Sequence, residues 1–526
     1  MPAVGRVIGT LLLGGILYGL AFPPYDLGTC AWFALVPLLR VVRGRRPASA
    51  FVYGILYGYA CAAAVSGWLV QALARFFDVS FPLAFALGSV YALVFWGIAF
   101  GCFAAAAAVL LRQRSTPLVR MALPAVWVAA EFLRGRVFGQ PWGLLGYTQH
   151  AHIGLIQLAA LTGVYGVSFL IAFGNVAVAD ALSSLRQRRP RVALAALALP
   201  LVLVLPIWFV GALTSEGGPI GGFAGRTVTI VQTNIEPVRE WTRSYTDRQL
   251  RAHIEATEAV ATKRPPGLVV WPEYAVPRYL EAEPLVAVEL AELAVRYHFD
   301  LLFGAPRFES GQSFNSVRLI TADGRNGGAY DKQRLVLLAE QKPFESNRAT
   351  SADNPVQFTA GDGPGVLRGF VSFGVSICHE ILFPELTAAE VAAGAELLVN
   401  VSNDGWIDAG RGIAGRQHLA MAAFRAVETR RYLVRAATTG PSAVIDPYGR
   451  IIDSLPPRTG GVLTGPVAAR TTVTPYVHFG DAFALWCVLV AGLAIMTRYT
   501  ASMRRYARVV PASAPPMAVG RTAQPR

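Results

Sequence analysis

The chain has few charged residues. Charged side chains make up 15% of its 526 residues and hydrophobic ones 54%, whereas a typical soluble domain is about 25% charged. Composition of this kind argues against a chain that is soluble over its whole length. It indicates that a large part of the sequence lies in lipid.

Cysteine is also scarce. Four of the five cysteines lie in or beside apolar segments, namely Cys30, Cys61, Cys102 and Cys487. Cys378 is alone in the polar part of the chain. One cysteine cannot form an internal disulfide framework there. A lone thiol is either buried or used chemically, and its position by itself does not decide between the two.

Acidic residues are outnumbered, with 33 Asp and Glu against 47 Lys and Arg. The excess is mostly arginine, in short runs beside apolar segments: Arg40 to Arg46, Arg112 and Arg114, Arg186 to Arg191, and Arg504 to Arg508. Such runs are typical of cytoplasmic anchors that contact anionic lipid. No recognised basic module accompanies them, so the sequence predicts no nucleic-acid partner.

Eight apolar stretches are close to the roughly 20 residues needed to cross a bilayer. They are Val7–Phe22, Leu27–Val42, Ala50–Leu73, Pro82–Leu111, Pro117–Phe132, Ile153–Leu182, Ala193–Leu213 and Phe479–Met496. No small-residue cleavage site follows the first, which predicts a retained helix and not a cleaved signal peptide.

The arginine runs follow the second, fourth, sixth and last stretches, and all agree with one orientation. The chain is therefore predicted to be a multi-pass protein of the cell (inner) membrane. Both termini are expected in the cytoplasm, and residues 213–479 on the periplasmic or extracytoplasmic side. The loop from Arg134 to Tyr147 is expected outside as well, although it begins with two arginines.

Four regions follow from this pattern. Residues 1–215 form an N-terminal bundle of about seven spans, 226–473 an extracytoplasmic domain, 479–498 the last transmembrane helix, and 499–526 a disordered cytoplasmic tail rich in Pro and Ala.

Within the large domain, short apolar runs that end near Gly, Asn, Asp or Pro alternate with amphipathic stretches. This texture predicts a layered α/β fold. The predicted strands are Thr227–Thr233, Leu268–Trp271, Asp300–Pro306, Ser316–Thr321, Phe370–Ile377, Leu397–Ser402 and Tyr432–Ala437. The predicted helices are Thr246–Thr262, Leu285–Tyr297, Phe383–Ala393 and Ile413–Thr429.

Three polar residues stand where predicted strands or hairpins end. Cys378 lies at a strand-to-helix turn, which exposes a nucleophile and points backbone N–H groups at a developing oxyanion. It could equally be a small buried hydrophobe. Glu273 follows a proline turn and is either functional or a structural ion-pair partner. Lys332, taken alone, reads as an ordinary surface lysine.

Together the three resemble the Glu–Lys–Cys set of the nitrilase superfamily. The matching segments, in order, are 271–273, 330–332, 377–380 and 400–406. The resemblance implies an αββα sandwich. It also implies Glu273 as general base, Cys378 as nucleophile, and Lys332 as the cation that stabilises the thiolate and the tetrahedral oxyanion.

A nitrilase-type domain between seven spans and an eighth resembles the apolipoprotein N-acyltransferase family, and this similarity covers nearly the whole chain. The fold class it implies is a polytopic α-helical membrane bundle of about eight transmembrane helices that carries the sandwich. The family implies transfer of an acyl chain from a membrane phospholipid to the α-amino group of a diacylglyceryl-cysteine apolipoprotein, through a cysteine thioester. The expected partners are these two lipid substrates and the membrane lipid, and a monomer is expected. A thioester needs no metal or other cofactor, and the histidines show no metal-ligand spacing.

Further roles follow from the same resemblance. Glu340 borders the active site, Glu380 orients the turn after the nucleophile, and Trp241 lies near the substrate entrance. Substrate contacts are also expected from Arg134, Trp142, Tyr147 and His379. For Arg134 the alternatives are a lipid phosphate ligand and an interfacial residue.

Two features depart from the family pattern. The stretch 335–344 lacks the usual proline, aromatic residue and glycine before the glutamate, and residue 379 is His where tyrosine is common. Two other function classes stay open: a membrane-tethered amidase that transfers the acyl group to water, and a non-catalytic lipoprotein-binding factor. The number of spans argues against the first, and the complete triad against the second.

Overall fold

The computed structural model describes residues 2–112, 117–215, 227–238, 241–263, 266–336, 339–341, 357–408 and 411–509. Part of the atypical stretch 335–344 and the tail beyond residue 509 lie outside the described residues.

The described part of the N-terminal region is helical. Its helices are α1 Pro2–Leu20, α2 Ala31–Ala34, α3 Val36–Val42, α4 Pro47–Ser66, α5 Trp68–Phe76, α6 Phe81–Tyr91, α7 Ile98–Leu110, α8 Pro117–Arg136, α9 Ile153–Ile156, α10 Ala159–Thr162, α11 Val164–Arg186 and α12 Pro190–Ser215. A π-helical segment, Ala92–Gly97, joins α6 to α7.

Four helical segments in the described residues are long and apolar enough to cross a membrane. They are Pro47–Ser66, Phe81–Leu110, Val164–Arg186 and Pro190–Ser215. The first, second and eighth predicted spans correspond to shorter apolar helices, at Val4–Leu20, Gly28–Val42 and Ala482–Arg498, and the first part of the sixth to another, Ile153–Thr162. The fifth corresponds to α8, which is not among these apolar helices. The predicted total of eight spans is therefore not confirmed.

One predicted span is broken by a glycine. The apolar stretch Ile153–Leu182 divides at Gly163. This glycine has a φ of +64° and separates α10 from α11. A Cβ atom there would lie 2.6 Å from the ring of Tyr476, so a side chain has no room. A left-handed φ is open to glycine at little cost. Composition alone cannot reveal such a break.

The rest of the chain is a sandwich domain followed by a final helix. Its strands are β1 Thr227–Gln232, β2 Leu268–Val270, β3 Asp300–Glu309, β4 Gln312–Ile320, β5 Asn326–Asp331, β6 Val366–Arg368, β7 Ser372–Ile377, β8 Leu397–Ser402, β9 Leu433–Ala437, β10 Ser442–Ile445, β11 Ile451–Leu455 and β12 Gly461–Pro466. Its helices are α13 Arg243–Ala261, α14 Pro284–Tyr297, α15 Pro384–Ala392, α16 Gly405–Asp408, α17 Ile413–Thr429, α18 Pro475–Phe479 and α19 Ala482–Val509.

All seven predicted strands and all four predicted helices of this domain are present, with ends shifted by a few residues. Five strands were not predicted from the sequence: β5, β6, β10, β11 and β12. β10 is apolar and buried but has only four residues. β6 has three residues, β5 contains two glycines, and β11 is solvent-exposed along most of its length.

The strands form two six-stranded sheets. Their orders are β12-β1-β2-β3-β4-β5 and β11-β10-β9-β8-β7-β6. The central strands β1, β2 and β3 run parallel, as do β7, β8 and β9, and the outer strands pair antiparallel. Parallel strands of one sheet end at the same edge, so residues that follow β7 and β8 lie close together. The edge of the other sheet where β2 ends meets them, because Glu273, after β2, accepts from the backbone N–H of Asn403, after β8.

The two sheets pack face to face, with helices outside. Val228, Leu302, Phe373 and Val399 belong to the apolar core between the sheets. A second core lies under α13 and α14 and includes Trp271 and Leu290. Helices α15 and α17 cover the other sheet, which completes an αββα arrangement of layers.

The layer formed by α15 and α17 also packs on the membrane bundle. Residues of this layer, such as Leu386 and Met421, share one continuous apolar core with the bundle. Polar contacts cross the same boundary. Gln417 donates to the carbonyl groups of Pro23 and Val65 at 3.1 and 3.0 Å. Glu428 accepts from the backbone N–H of Val164, the first residue of α11, at 3.0 Å.

Candidate active site

The structure brings the three triad residues to one edge of the sandwich. Glu273 lies three residues after the end of β2, Lys332 directly follows β5, and Cys378 directly follows β7. Their side chains are buried, with 3%, 1% and 1% exposed for Glu273, Lys332 and Cys378. Gly304 makes room for this packing, because a Cβ atom there would lie 2.6 Å from the Cα of Glu273.

Lys332 lies between two carboxylates. Its Nζ is 2.9 Å from Oε1 of Glu340 and 3.2 Å from Oε1 of Glu273. Those carboxylates raise the pKa of the lysine against the opposing effect of burial. The ammonium form is therefore favoured, and its positive charge acts on the Cys378 thiol.

Two asparagines complete this cluster, and the sequence analysis named neither as a site residue. Asn315 Nδ2 donates to Oε1 of Glu273 at 2.8 Å and to Oε1 of Glu340 at 2.7 Å. The backbone N–H of Asn403 donates to Oε2 of Glu273 at 2.9 Å. The carboxylate of Glu273 is thus held in one orientation from both oxygens.

Cys378 has a backbone conformation unusual for a residue with a side chain. Its φ is +55°, in the left-handed region, and the following residues form a 3-10 turn, Cys378–Leu382. Asn400 Nδ2 donates to the Cys378 carbonyl at 3.3 Å. Tyr274, next to Glu273, also has a φ of +55°. Strained conformations of this kind are common at active sites and persist only where the surroundings fix them.

The thiol is not a preformed thiolate. Burial raises the pKa of Cys378, and Glu273 raises it further, while Lys332 lowers it without reversing the effect. The pKa of Glu273 is raised by burial and by Glu340, although Lys332 and the hydrogen bonds oppose this. A protonated thiol therefore lies beside a carboxylate that binds a proton more readily than an exposed glutamate does.

Glu380 connects the loop that carries Lys332 to the strand that carries Cys378. It accepts backbone N–H groups of Gln333, Arg334 and Ile377 at 2.7, 3.0 and 2.8 Å. It also accepts from the hydroxyl of Tyr330 at 3.0 Å. Burial raises the pKa of Glu380 to about 7, and these donors act against that rise.

Two other predicted residues lie beside the cluster. Trp241 packs against Tyr274, with ring centroids 5.1 Å apart, and Tyr274 donates weakly to Glu340 at 3.4 Å. His379 packs edge-on against Phe383 at 5.8 Å. Burial and the positive charge of Lys332 hold the pKa of His379 well below its usual range, so this imidazole is neutral near pH 7.

Comparison with known proteins agrees with this architecture. The Apolipoprotein N-acyltransferase N-terminal domain matches residues 14–177, and Carbon-nitrogen hydrolase matches residues 227–476. The apolipoprotein N-acyltransferase of Geobacter metallireducens is 34% identical over 92% of this chain and 93% of its own length. That of Azotobacter vinelandii is 34% identical over 94% and 95%. The chain belongs to the apolipoprotein N-acyltransferase family.

Membership of this family makes the chain an acyltransferase. Together with the four apolar helices, it also makes the chain a membrane protein, and the hydrolase match assigns a nitrilase-like fold to the two-sheet domain. Among solved structures, Saccharomyces cerevisiae Nit3 of the nitrilase superfamily covers 46% of this chain and 90% of its own, at 18% identity and a TM-score of 0.37. A likeness that weak carries no argument.

The structure does not place Arg134, Trp142 and Tyr147 at the triad. Trp142 donates from Nε1 to Gln417 at 2.6 Å, and the Tyr147 hydroxyl accepts from Arg425 at 3.2 Å. Both side chains are buried between the bundle and helix α17. Trp142 and Tyr147 therefore hold the domain on the bundle, and neither side chain has a surface open to a substrate.

Arg134 lies inside the protein, and this corrects both expectations for it. It is fully buried, it donates to the Trp142 carbonyl at 2.7 Å, and its guanidinium lies 4.4 Å from the ring centroid of Trp96. A side chain with no exposed surface can neither contact a lipid phosphate nor extend to the membrane surface. The sequence analysis failed here because it treated arginine near a helix end as exposed.

We therefore predict that Arg134→Ala destabilises the protein. Removing a buried charged donor leaves the Trp142 carbonyl unpaired and a cavity against Trp96, and the expected cost is about 3 kcal/mol or more. Thermal unfolding of the detergent-solubilised chain measures it. Arg46→Ala, at an exposed arginine, is the control. An unchanged midpoint together with weaker phospholipid use would restore the original expectation.

Proposed function

We propose that this protein transfers an acyl chain from a membrane phospholipid to the N-terminal amine of a diacylglyceryl-cysteine apolipoprotein. The observation that carries the proposal is the buried lysine held by two carboxylates, close enough to act on the Cys378 thiol, in a domain packed on a membrane bundle. The names of its relatives supply the acceptor class.

The first half-reaction forms a thioester on Cys378. Glu273 takes the thiol proton as sulfur attacks the ester carbonyl of the phospholipid. The carbonyl oxygen gains negative charge, and the Lys332 ammonium stabilises it. The carbon–oxygen bond then breaks, and Glu273 returns the proton to the departing lysophospholipid.

The second half-reaction forms the amide. The neutral amine of the lipoprotein attacks the thioester carbonyl, and Glu273 accepts the proton that the nitrogen loses. The carbon–sulfur bond breaks, and Glu273 returns that proton to the departing sulfur, which restores the Cys378 thiol. A thioester is reactive enough toward an amine that the step needs no nucleotide.

Glu340 and Asn315 act as positioning residues in this scheme. Both contact Glu273 or Lys332 and hold them in place, so that neither reacting group must reorganise during the reaction. Glu380 positions the nucleophile turn against the Lys332 loop. Trp241, packed on Tyr274, would border the substrate entrance.

Docking on the bundle explains how two lipids reach one cysteine. Each methylene group exposed to water costs about 0.8 kcal/mol, so lifting a whole acyl chain out of the membrane would cost on the order of 10 kcal/mol. A catalytic domain whose helical layer packs directly on membrane helices avoids that cost.

We further propose that the catalytic domain lies outside the cytoplasm and that both termini lie inside. Helix α11 supports this, because its first residue contacts Glu428 of the domain while its other end carries the arginine run 186–191. The run 40–46 lies at that same end, where Arg43 donates to Ser183 at 2.8 Å. A helix of 23 residues spans roughly 34 Å, about the thickness of a bilayer.

A reporter inserted at Gly311 tests the orientation. This glycine forms the exposed tip of the hairpin between β3 and β4, so an insertion there disturbs no core contact. We expect alkaline phosphatase, which is active only after export, to give a signal there. Activity of a cytoplasmic reporter at the same position would overturn the topology.

The thioester itself can be observed. Incubating the full-length protein with phospholipid alone should add one acyl mass to the peptide that contains Cys378, and neutral hydroxylamine should remove it. Cys378→Ala should abolish the adduct, while Cys102→Ala, at the exposed cysteine of α7, should retain it. Lys332→Met should slow its formation about 100-fold, the effect of losing one oxyanion-stabilising group. Adduct on Cys378→Ala protein would exclude this mechanism.

A further inference from the structure

A row of alternating charges connects the membrane bundle to the catalytic loop. Arg136, at the end of α8, pairs with Asp481 before α19 and with Glu385 in the first turn of α15. Glu385 also faces Arg334, two residues after Lys332 in the chain, with a separation of 3.5 Å. The row therefore begins at membrane helices and ends beside the active site.

Within this row, Arg334 is the cation with capacity for another partner. Arg136 is engaged by two carboxylates and is 26% exposed. Arg334 is 52% exposed, and its distance to Glu385 is longer than that of a normal hydrogen bond. Its guanidinium lies 5.2 Å from the ring centroid of Phe383, a cation–π contact that does not use its N–H donors.

The position of Arg334 relative to the nucleophile is fixed. Glu380 accepts the backbone N–H of Arg334 and also that of Ile377, which immediately precedes Cys378. The positive charge of Arg334 also contributes to the lowered pKa of His379, the residue after the nucleophile. The backbone of Arg334 is therefore held against the turn that carries Cys378.

We propose that Arg334 binds the phosphate of the glycerophospholipid donor and so aligns the donor ester with Cys378. The proposal rests on the proposed function. The guanidinium fork matches a phosphate group geometrically, and the pair forms charge-assisted hydrogen bonds. In the lipid, only the glycerol backbone separates the phosphate from the acyl ester. A phosphate held two residues beyond Lys332 therefore leaves the ester within reach of the triad.

Arg334 also distinguishes the two lipid substrates. Both carry acyl chains on glycerol, but the diacylglyceryl group of a lipoprotein is attached through a cysteine thioether and has no phosphate. A cation at the entrance thus favours the phospholipid in the first half-reaction. It makes no corresponding contact with the acceptor in the second half-reaction.

Two donors with identical acyl chains test this proposal. The full-length protein in detergent micelles is given dipalmitoyl phosphatidylethanolamine or dipalmitoylglycerol, which lacks the phosphate. Formation of the acyl adduct on Cys378 is followed by mass spectrometry as the mole fraction of donor varies. The variants are Arg334→Gln, Arg334→Lys and, as a matched control, Arg296→Gln at an exposed arginine that faces Glu258 on the outer helical layer.

We expect the wild-type protein and Arg296→Gln to prefer the phospholipid. Arg334→Gln should raise the half-saturating mole fraction of phospholipid about tenfold, because one charge-assisted hydrogen bond is lost. The half-saturating mole fraction of dipalmitoylglycerol should not change. Arg334→Lys should retain part of the preference. Transfer from preformed acyl-enzyme to a lipoprotein peptide should be unaffected.

An Arg334→Gln protein that keeps the preference overturns the assignment of Arg334 while leaving the proposed function intact. Equal loss with both donors also overturns it, because it shows a structural role. If the wild-type protein forms no adduct with either lipid, the proposed function fails and this inference fails with it.

Discussion

A lysine with 1% of its side chain exposed would lose several kcal/mol of solvation without a partner. Lys332 has two carboxylate partners, Glu273 and Glu340. Two carboxylates carry one more charge than the lysine, and hydrogen bonds from Asn315 and from the backbone N–H of Asn403 stabilise it. This balance fixes where the base, the cation and the thiol lie. Burial and Glu340 raise the pKa of Glu273, while Lys332 and these hydrogen-bond donors oppose that rise. Burial raises the pKa of Cys378, which limits oxidation of this thiol, because the thiolate is the form that oxidises.

The charge cluster depends in turn on contacts that reach into the membrane bundle. Helix α17 packs on the second sheet and on the bundle at the same time, and Gln417 and Arg425 pair with groups on the bundle side. Glu380 connects the two loops of the site, and Glu385 extends that connection to α8 through Arg136. Bundle and domain are therefore joined by both apolar packing and a row of ion pairs that ends near Lys332.

Strand ends were the most predictable part of the site. Polar residues directly after apolar runs stand out, so Glu273 and Cys378 could be located from pattern. Lys332 could not, because by itself it resembles a surface lysine, and only the family resemblance singled it out. Asn315 could not be located either, because it lies inside β4, where a polar residue normally marks the exposed face of a strand. Arg134 was misjudged for a similar reason, since hydropathy gives the character of a residue but not its neighbours. The break at Gly163 and the docking of α17 depend on contacts distant in sequence, which no local pattern contains.

The most direct test of the account is the mass of a lipoprotein N-terminus. Cells that depend on this protein should produce a lipoprotein with one more acyl group than cells that lack it, and the added mass should lie on the α-amino group. Complementation with Cys378→Ala or Glu273→Gln protein, expressed at the wild-type level, should leave the diacyl form. A lipoprotein whose N-terminal amine stays free in the presence of the wild-type chain, or becomes acylated with the Cys378→Ala chain, would contradict the account.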